Sequence, residues 1–537
     1  MVRRLMWRNT RSLHKRSCGL CSKALISMYS DEAPVYCLEC WNGGAWDQLV
    51  NGREYDFNRN FFDQLRELFK INPRFYAYKF GNVVNSEFTN FSKDNKNVYL
   101  AYSVIGCGDI MYSEVIDDSK NSLDCYGVNK VDGCSYNVDC EGNYNTHYAL
   151  QSRSCIDSFF VFDCINCQNC CLSNNLRNQQ YVFRNEKLTK EAYEKALQEL
   201  QLDTHSGVEK SKNYFDLMIR DKAIHKYASI YASQNATGDY IHNARNIKNC
   251  FDTNGSENIA YGVRVLQSKD SMDVSGAMGE LSYESMGSTG NAFNNAFCYL
   301  TYENCRECQY SLICRNCSNC FGCVGLTNAK YCIFNKQYTK EEYEVLVPKI
   351  KEAMNQLPYI DSKGRKYMYG EFFPYDMCPF GYNEGNAHDF FRLTEDEARH
   401  KGYTWRDRED RNYKITKTSD ELPESIKDVS DEVLNDVIGC PNNGNPAFQC
   451  TTAFKIVPNE LQFYKYKNLP LPRFCPNCRH YQRLEYRNPM HLEERHCMCN
   501  ISSHGHSLPC RNTFETTYAP NRLETVYCEK CYQQEVY

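Results

Sequence analysis

The chain has 537 residues, a formal net charge of -5, a pI of about 6.2 and 14% aromatic residues. Its length accommodates several domains, its aromatic content excludes general disorder, and its acidic balance excludes a globally basic nucleic-acid binder. Cysteine is unusually frequent, at 32 residues. Two explanations are open: a disulfide framework in a secreted protein, or metal ligands and small buried side chains in a cytosolic one.

The segment from Met1 to Ser17 favours the cytosolic explanation. It carries several basic residues, among them Arg3, Arg4 and Arg8, but no apolar core of a secretory signal. No stretch approaches the roughly 18 uncharged apolar residues of a membrane span. We therefore predict a soluble, cytoplasmic protein without a membrane segment. Export by a route without such a signal stays open, and so does the oligomeric state.

The predicted fold class is mainly β: a tandem duplicated β-solenoid with capping helices, flanked by N- and C-terminal zinc ribbons. We predict these segments in chain order: a zinc ribbon (1–46), a helical connector (47–90), solenoid copy 1 with its capping helix (91–200), a connector (201–240), solenoid copy 2 with its capping helix (241–356), a mixed α/β connector (357–435), zinc ribbon 2 (436–490) and zinc ribbon 3 (491–537).

The first predicted zinc site is a pair of CxxC motifs near the N-terminus. Cys18 and Cys21 form one motif, and Cys37 and Cys40 form the second, with fifteen residues between the two motifs. Four thiolates match the tetrahedral preference of Zn²⁺ and leave no open position for water. The spacing therefore predicts a closed, structural zinc site.

A short period runs through the middle of the chain. Compact apolar or cysteine positions recur about every eleven residues, from Leu100 to Val182 and again from Cys250 to Cys332. Short strands at a fixed step, bounded by Asn, Asp, Ser and Gly, favour a β-solenoid in which each coil stacks on the next. Two steps give about 22 residues per coil. A β-sandwich is the alternative, although a sandwich does not require so regular a step.

Two long segments match each other at an offset of 150 residues. Three cysteines of the first segment recur in the second, Cys164, Cys167 and Cys170 as Cys314, Cys317 and Cys320. Downstream, Thr189 and Thr339 each begin a predicted helix as its N-cap, with Glu in the first turn. We expect each helix to cover the exposed strand edge at the end of a solenoid.

The central cysteines, such as Cys305, Cys308 and Cys323, are predicted to be buried core side chains. A narrow coil has room inside for small side chains, and cysteine behaves as a small hydrophobe. A further zinc site or a redox centre in these CxxC pairs is the alternative.

Two C-terminal units share one pattern: a widened first knuckle, a Phe-containing strand and a CxxC second knuckle. The predicted ligands are Cys440, Cys450, Cys475 and Cys478 in ribbon 2, and Cys499, Cys510, Cys528 and Cys531 in ribbon 3. In ribbon 3 the fourth ligand stays open between Cys499, Cys497 and a nearby histidine. Together with the N-terminal site, three structural Zn²⁺ ions are expected. No HExxH motif, phosphate loop or nucleophile elbow is present, so we predict no catalytic residues.

The residues from Cys450 to Arg479 are similar to a zinc-ribbon domain family that reads C..C…F…E..FY…P..C..CR. The matching residues are Phe454, Glu460, Phe463, Tyr464, Pro472, Cys475, Cys478 and Arg479. The first knuckle departs from that family, being nine residues wide instead of two.

Over its full length the chain resembles a family of uncharacterised zinc-ribbon and β-solenoid proteins of candidate phyla radiation bacteria. The resemblance is carried by CGLC…VYCLECW at Cys18–Trp41, YTKEEYE at Tyr338–Glu344, LPLPRFCPNCRHYQRLEYRNP at Leu469–Pro489 and FETTYAPNRLETVYCEKCYQQEVY at Phe514–Tyr537. It implies a cytoplasmic bacterial protein that binds zinc, and it brings no established activity.

Two non-catalytic functions fit the sequence. The first is binding of RNA, DNA or a ribonucleoprotein through basic zinc ribbons, with Arg473, Arg479, Arg483 and Arg487 as candidate phosphate contacts. The alternative is a structural scaffold that holds a protein partner on a solenoid face. An enzyme acting through cysteine or zinc is the third hypothesis.

Overall fold

Strands form the largest share of the regular structure. The computed structural model describes residues 1–407 and 413–537, and 32% of the chain is strand against 24% helix. This confirms the mainly β prediction. The α-helices are α1 (Val2–Met6), α2 (Leu38–Asn42), α3 (Phe61–Ile71), α4 (Lys190–Glu199), α5 (His205–Asp221), α6 (Lys340–Gln356), α7 (Asn386–Phe390), α8 (Glu395–His400), α9 (Pro458–Lys467), α10 (Pro476–Leu484) and α11 (Glu529–Val536).

The first half of the chain contains a parallel arrangement that we call the first ladder. Most of its residues pair with residues 12 positions along the chain, as Gly108 does with Lys120 and Gln168 with Gln180. Isolated bridges keep this step between residues 129 and 147. The strands of the first ladder are Lys79–Val84, Thr89–Tyr99, Ala101–Ile105, Gly108–Met111, Glu114–Asp117, Lys120–Leu123, Tyr126–Asn129, His147–Leu150, Phe159–Phe162, Gln168–Asn174 and Gln180–Phe183, closed by antiparallel Glu186–Lys187.

A second ladder of the same kind follows α5. Most of its partners are again 12 residues apart, as in Arg245 with Glu257, and the step lengthens to 13 between Gly279 and Ala292. The strands of the second ladder are Ile230–Tyr231, Gln234–His242, Arg245–Asn254, Glu257–Ala260, Val263–Leu266, Lys269–Ser275, Gly279–Glu280, Tyr283–Met286, Ala292–Phe293, Ser318–Phe321 and Lys330–Ile333, closed by antiparallel Lys336–Gln337.

The predicted coil of about 22 residues is wrong, because the chain returns to the same position after 12 residues. Every third residue along a turn has a left-handed backbone, as at Asp118, Asn121 and Asp124. Asn, Asp and Gly tolerate this conformation better than other residues do, so they supply many of the corners. Met272, one of the apolar positions on the eleven-residue period, is 41% exposed and so does not lie in the interior.

The interior of each ladder is filled by every third residue, two positions before a corner. In the first ladder Cys125, Val128, Val131 and Cys134 follow one another in this way and are buried. Interior serines also accept backbone hydrogen bonds, as Ser122 Oγ does from the amide of Cys134 at 3.1 Å. The prediction that the central cysteines are core side chains agrees with this burial. Cys298, Cys305, Cys308, Cys314, Cys317, Cys320, Cys323 and Cys332 form one cluster and are at most 1% exposed.

The helix that follows each ladder begins where the sequence predicts. The hydroxyl of Thr189 accepts from the amide of Ala192, and that of Thr339 accepts from the amide of Glu342. Tyr193 on α4 packs on Tyr181 of the last parallel strand. The helices therefore cover the end strands of the two ladders.

The remaining segments form short elements that pack on the ladders. Their strand pairs are His14–Ser17 with Ala24–Ser27, Val35–Tyr36 with Arg74–Phe75, Ile224–Lys226 with Thr525–Tyr527, Tyr359–Ile360 with Lys366–Tyr367, Lys417–Thr418 with Ile438–Gly439, Ile438–Gly439 with Ala453–Phe454, and Glu493–His496 with Thr513–Thr516. The 3₁₀ turns are Tyr375–Met377, Tyr382–Glu384, Ser419–Glu421, Ile426–Asp428, Asp431–Asn435, Pro446–Phe448 and Ser502–His504. Among the described residues we find no helix with the length and apolar character that crossing a bilayer requires.

Candidate metal centres

The first cysteine unit brings together Cys18, Cys21, Cys37 and Cys40, whose sulfur atoms all lie within 4.8 Å of one another. Cys21 Sγ and Cys37 Sγ are 3.8 Å apart. A tetrahedral zinc with Zn–S bonds of about 2.3 Å places its sulfur ligands about 3.8 Å apart. The four side chains therefore fit a Cys₄ zinc ion.

The second cysteine unit consists of Cys440, Cys450, Cys475 and Cys478, all four buried and within the same 4.8 Å limit. Cys440 Sγ and Cys478 Sγ are 3.8 Å apart. The wide first knuckle still supplies two ligands. It contains the 3₁₀ turn Pro446–Phe448, and the amide of Cys450 donates to the carbonyl of Asn445 at 3.1 Å. Cys440 thus lies with the other three, as the sequence predicts.

The first ligand of the third cysteine unit is Cys497, whereas the set predicted from the sequence begins with Cys499. Cys497 lies within 4.8 Å of Cys510, Cys528 and Cys531, whereas Cys499 belongs to a second group with His504, His506 and Cys531. The strand Glu493–His496 ends immediately before Cys497 and delivers it to the other three sulfurs. Of the open alternatives, Cys497 therefore completes the Cys₄ set.

A shared backbone hydrogen bond supports this assignment. In each unit the amide of the third cysteine donates to the sulfur of the first: Cys37 to Cys18 at 3.3 Å, Cys475 to Cys440 at 3.4 Å and Cys528 to Cys497 at 3.2 Å. The third cysteine is also the N-cap of α2, α10 or α11, and the fourth lies in the first turn of that helix. Cys497 thus takes the place that Cys18 and Cys440 take in their units.

Amide donors of this kind favour the thiolate, which is the form that binds a metal. For Cys18, burial raises the pKa of the thiol, but hydrogen bonds from the amides of Cys21, Cys37 and Leu20 and from the Cys21 side chain together lower it to about 6. Cys18 is therefore ready to bind zinc near neutral pH.

The structure corrects the assignment of four arginines to a phosphate-binding surface. Arg473, Arg479, Arg483 and Arg487 are at most 9% exposed. Arg473 donates to the carbonyl of Leu422 at 2.9 Å, and the other three pair with carboxylates whose side chains are at most 11% exposed. A guanidinium already bound inside the protein cannot meet a phosphate, so these residues do not form a nucleic-acid surface.

The ladder cysteines differ from the three units. Within the part of the chain that the structure describes, the groups able to hold a metal include no ladder cysteine. Burial raises the pKa of Cys107, Cys134 and Cys298 to about 12. Such thiols stay protonated at neutral pH and are poor nucleophiles, which favours the core role over a redox role.

A buried polar cluster was not predicted from the sequence. Glu114, Asp389 and His480 lie together, with His480 Nε2 at 3.8 Å from Glu114 Oε2 and at 3.9 Å from Asp389 Oδ1. Arg11 and Arg264 approach the Glu114 carboxylate to 3.6 and 3.3 Å. These two cations already neutralise the carboxylates, so we interpret the cluster as an ion-pair network. Its residues are too distant in sequence for any motif to reveal it.

Comparison with known protein families and with curated proteins finds no match to this chain.

Proposed function

We propose that this chain is a non-catalytic scaffold in which zinc-binding units join two β-solenoids into one rigid body. The observation that carries the proposal is the position of Arg487. Its Nε lies 3.0 Å from Asp139 of the first ladder, and its Nη1 lies 3.1 Å from Asp252 of the second. Arg487 follows α10, which carries Cys478, so the second cysteine unit presents one side chain to both ladders.

The first cysteine unit and the segment before it also reach both ladders. Trp41 Nε1 donates to Tyr302 of the second ladder at 3.3 Å. Asn9 accepts a hydrogen bond at its carbonyl from Asn90 of the first ladder at 2.9 Å. A zinc ion that orders this unit therefore also orders its contacts with the two ladders.

The third cysteine unit also contacts both ladders. Tyr532 on α11 contacts Asp163 of the first ladder, and its hydroxyl accepts from Arg177 at 2.7 Å. Thr517, in the segment between the knuckles, donates to Asp239 of the second ladder. Three units thus contact two ladders each, which supports a joining role for zinc.

We further infer that each ladder is a β-solenoid and that the two derive from one duplicated segment. The supporting contacts recur at the offset of 150 residues. Asn185 Oδ1 accepts from the amide of Asn174 at 2.8 Å, and Asn335 Oδ1 accepts from the amide of Val324 at 2.8 Å. An asparagine therefore makes the same backbone contact at the end of both ladders, exposed at Asn185 and buried at Asn335. Thiolate centres need reduced cysteines, and we propose the cytoplasm as the compartment on that ground.

The competing hypothesis of nucleic-acid binding is tested on the zinc-loaded full-length chain. Fluorescence anisotropy with labelled single-stranded RNA and DNA, at low and at physiological salt, measures any affinity and its salt dependence. The scaffold proposal expects no binding tighter than about 1 μM. Tighter binding that weakens steeply with salt would contradict it.

The joining role is tested separately by limited proteolysis. Zinc removal with a chelator should make the segment between the ladders, residues 200–229, accessible to protease. The matched control is the same chelator saturated with zinc. Unchanged cleavage after zinc loss would show that zinc does not join the ladders.

A further inference from the structure

The geometry points to a second zinc ion in the third cysteine unit, held by Cys499, His504, His506 and Cys531, with the Cys531 thiolate bridging the two ions. This inference rests on the proposed zinc at Cys497, Cys510, Cys528 and Cys531. It raises the expected content of the chain from three zinc ions to four.

The four side chains of the new group already converge. Cys499 Sγ lies 3.1 Å from His504 Nδ1, and Cys531 Sγ lies 3.4 Å from His506 Nε2. The ligand atoms of the whole group lie within 4.8 Å of one another. Two sulfur and two imidazole ligands at such distances suit a tetrahedral zinc ion.

Both imidazoles present a lone pair to this position. His504 Nε2 lies 3.2 Å from the Glu535 carboxylate, which requires the ring proton on Nε2 and leaves Nδ1 free to bind a metal. His506 Nδ1 donates to the carbonyl of Ser507 at 2.9 Å, which leaves its Nε2 free toward Cys531. A carboxylate or carbonyl that accepts from the far nitrogen is the usual second partner of a zinc-binding histidine.

Cys531 is the side chain that belongs to both groups. Its sulfur is 3.7 Å from Cys510 Sγ in the Cys₄ set and 3.4 Å from His506 Nε2 in the other set. Cys531 is 0% exposed, so protein groups surround the sulfur on every side. A thiolate has more than one lone pair and can bind two zinc ions at once.

The charge of the unit also favours two ions. Four thiolates and one Zn²⁺ leave a net charge of −2 inside a buried cluster, and Cys499, 0% exposed, stays beside it without a metal. Five thiolates and two Zn²⁺ ions give −5 + 4 = −1. The smaller buried charge is less costly in a region of low dielectric constant.

The first test counts zinc ions on the intact chain by native mass spectrometry. We expect four ions on the wild type and three on the His504→Ala/His506→Ala variant. The matched control is His491→Ala, because the His491 side chain is 71% exposed and lies outside both groups. The control should keep four. Three ions on both wild type and double variant would overturn the second site and leave the proposed function intact.

Three other outcomes are informative. Three ions on the wild type and two on the double variant would overturn the bridged centre, because a single zinc would then depend on the histidines. Fewer than three ions on the wild type would contradict the proposed function itself. Four ions on the double variant would overturn the assignment of the two histidines.

Cobalt substitution of the wild type provides a second readout that needs no variant. Cobalt bound by two sulfur and two nitrogen ligands absorbs at shorter wavelength than cobalt bound by four sulfurs. We expect the band of the mixed site to develop with one of four equivalents of Co²⁺. Spectra that contain only the four-sulfur band through saturation would overturn the inference.

Discussion

Arg479 and Asp124 form an ion pair that is closed to solvent, with 2.6 Å between Nη1 and Oδ2 and side-chain exposures of 2% and 0%. Asp124 is a corner residue of the first ladder, and Arg479 follows Cys478, a candidate zinc ligand, on α10. Arg483, one turn further along α10, meets the other oxygen of the same carboxylate at 2.5 Å. One carboxylate thus fixes the second cysteine unit on the first ladder.

Replacing Asp124 by Asn should destabilise the protein strongly. The change removes the carboxylate that pairs with Arg483 and leaves Arg479 only with Glu460, 3.2 Å away. Removing one partner of a buried ion pair costs about 3–5 kcal/mol. Denaturant unfolding measures this free energy. The exposed pair of Lys465 and Asp431 provides the control, since its side chains are 39% and 80% exposed and Lys465→Met should cost about 0–1 kcal/mol. Equal costs for the two variants would contradict a structural role for the buried pair.

Serine substitution should separate the two classes of cysteine. Cys475→Ser removes a zinc ligand, so the protein should lose one zinc ion and the local fold of that unit. Cys298→Ser should keep every zinc ion, because Cys298 is a ladder core residue and serine already occupies an equivalent interior position at Ser311. Metal analysis of the purified variants measures the difference. Zinc loss in Cys298→Ser would show that ladder cysteines bind metal.

Acid should destabilise the protein through a buried histidine of the first ladder. Burial, with a smaller contribution from the Lys467 ammonium, lowers the pKa of His147 to about 3. In the unfolded chain the pKa of a histidine is about 6.5. Below that pH the unfolded state binds a proton that the folded state does not, so stability falls by about 1.4 kcal/mol per pH unit until the pH approaches the folded-state pKa.

The contribution of His147 is measured as the slope of the unfolding free energy against pH between about pH 6 and pH 4, a range that lies inside that window. His147→Gln should reduce the slope by the contribution of one proton, about 1.4 kcal/mol per pH unit. The exposed His491→Gln should leave the slope unchanged. Comparing variants cancels the contribution of acid-induced zinc loss. Identical slopes for wild type and His147→Gln would contradict the prediction.

Substitution of a corner residue of a ladder by a β-branched residue should destabilise the protein. Asn258 has a φ of 56°, and its amide donates to Asp270 while its oxygen accepts from Asn246. Asn258→Val should cost about 1–2 kcal/mol, because a side chain branched at Cβ is strained in the left-handed region. Asn258→Gly keeps the backbone freedom and should be milder. A Val variant as stable as the Gly variant would contradict the three-residue corner pattern.

Much of the architecture could be predicted from local patterns. The spacing of the CxxC motifs predicts the first cysteine unit, and Thr189 and Thr339 predict the starts of α4 and α6. These features depend on residues that are close in sequence. The eleven-residue period differs from the true step because it combines interior residues such as Cys250 with exterior ones such as Met272. The three-residue corner pattern that sets the true step is visible only in the backbone.

Burial of the arginines on α10 could not be predicted, because their partners are far away in sequence. Arg479 and Asp124 are 355 positions apart in the sequence, and no residue close to Arg479 in the sequence indicates that the first ladder covers it. The choice of Cys497 over Cys499 similarly depends on which sulfur receives the amide of Cys528. The resemblance to proteins of candidate phyla radiation bacteria and the boundaries of the predicted segments stay predictions.

Small-angle X-ray scattering of the full-length chain, before and after zinc removal, tests the central claim most directly. The account predicts one compact particle with zinc and a clear increase in the radius of gyration after chelation, because the three units that contact both ladders lose their order. Restoring zinc should restore the compact form. An unchanged radius of gyration after complete zinc loss would contradict the claim that zinc joins the two ladders.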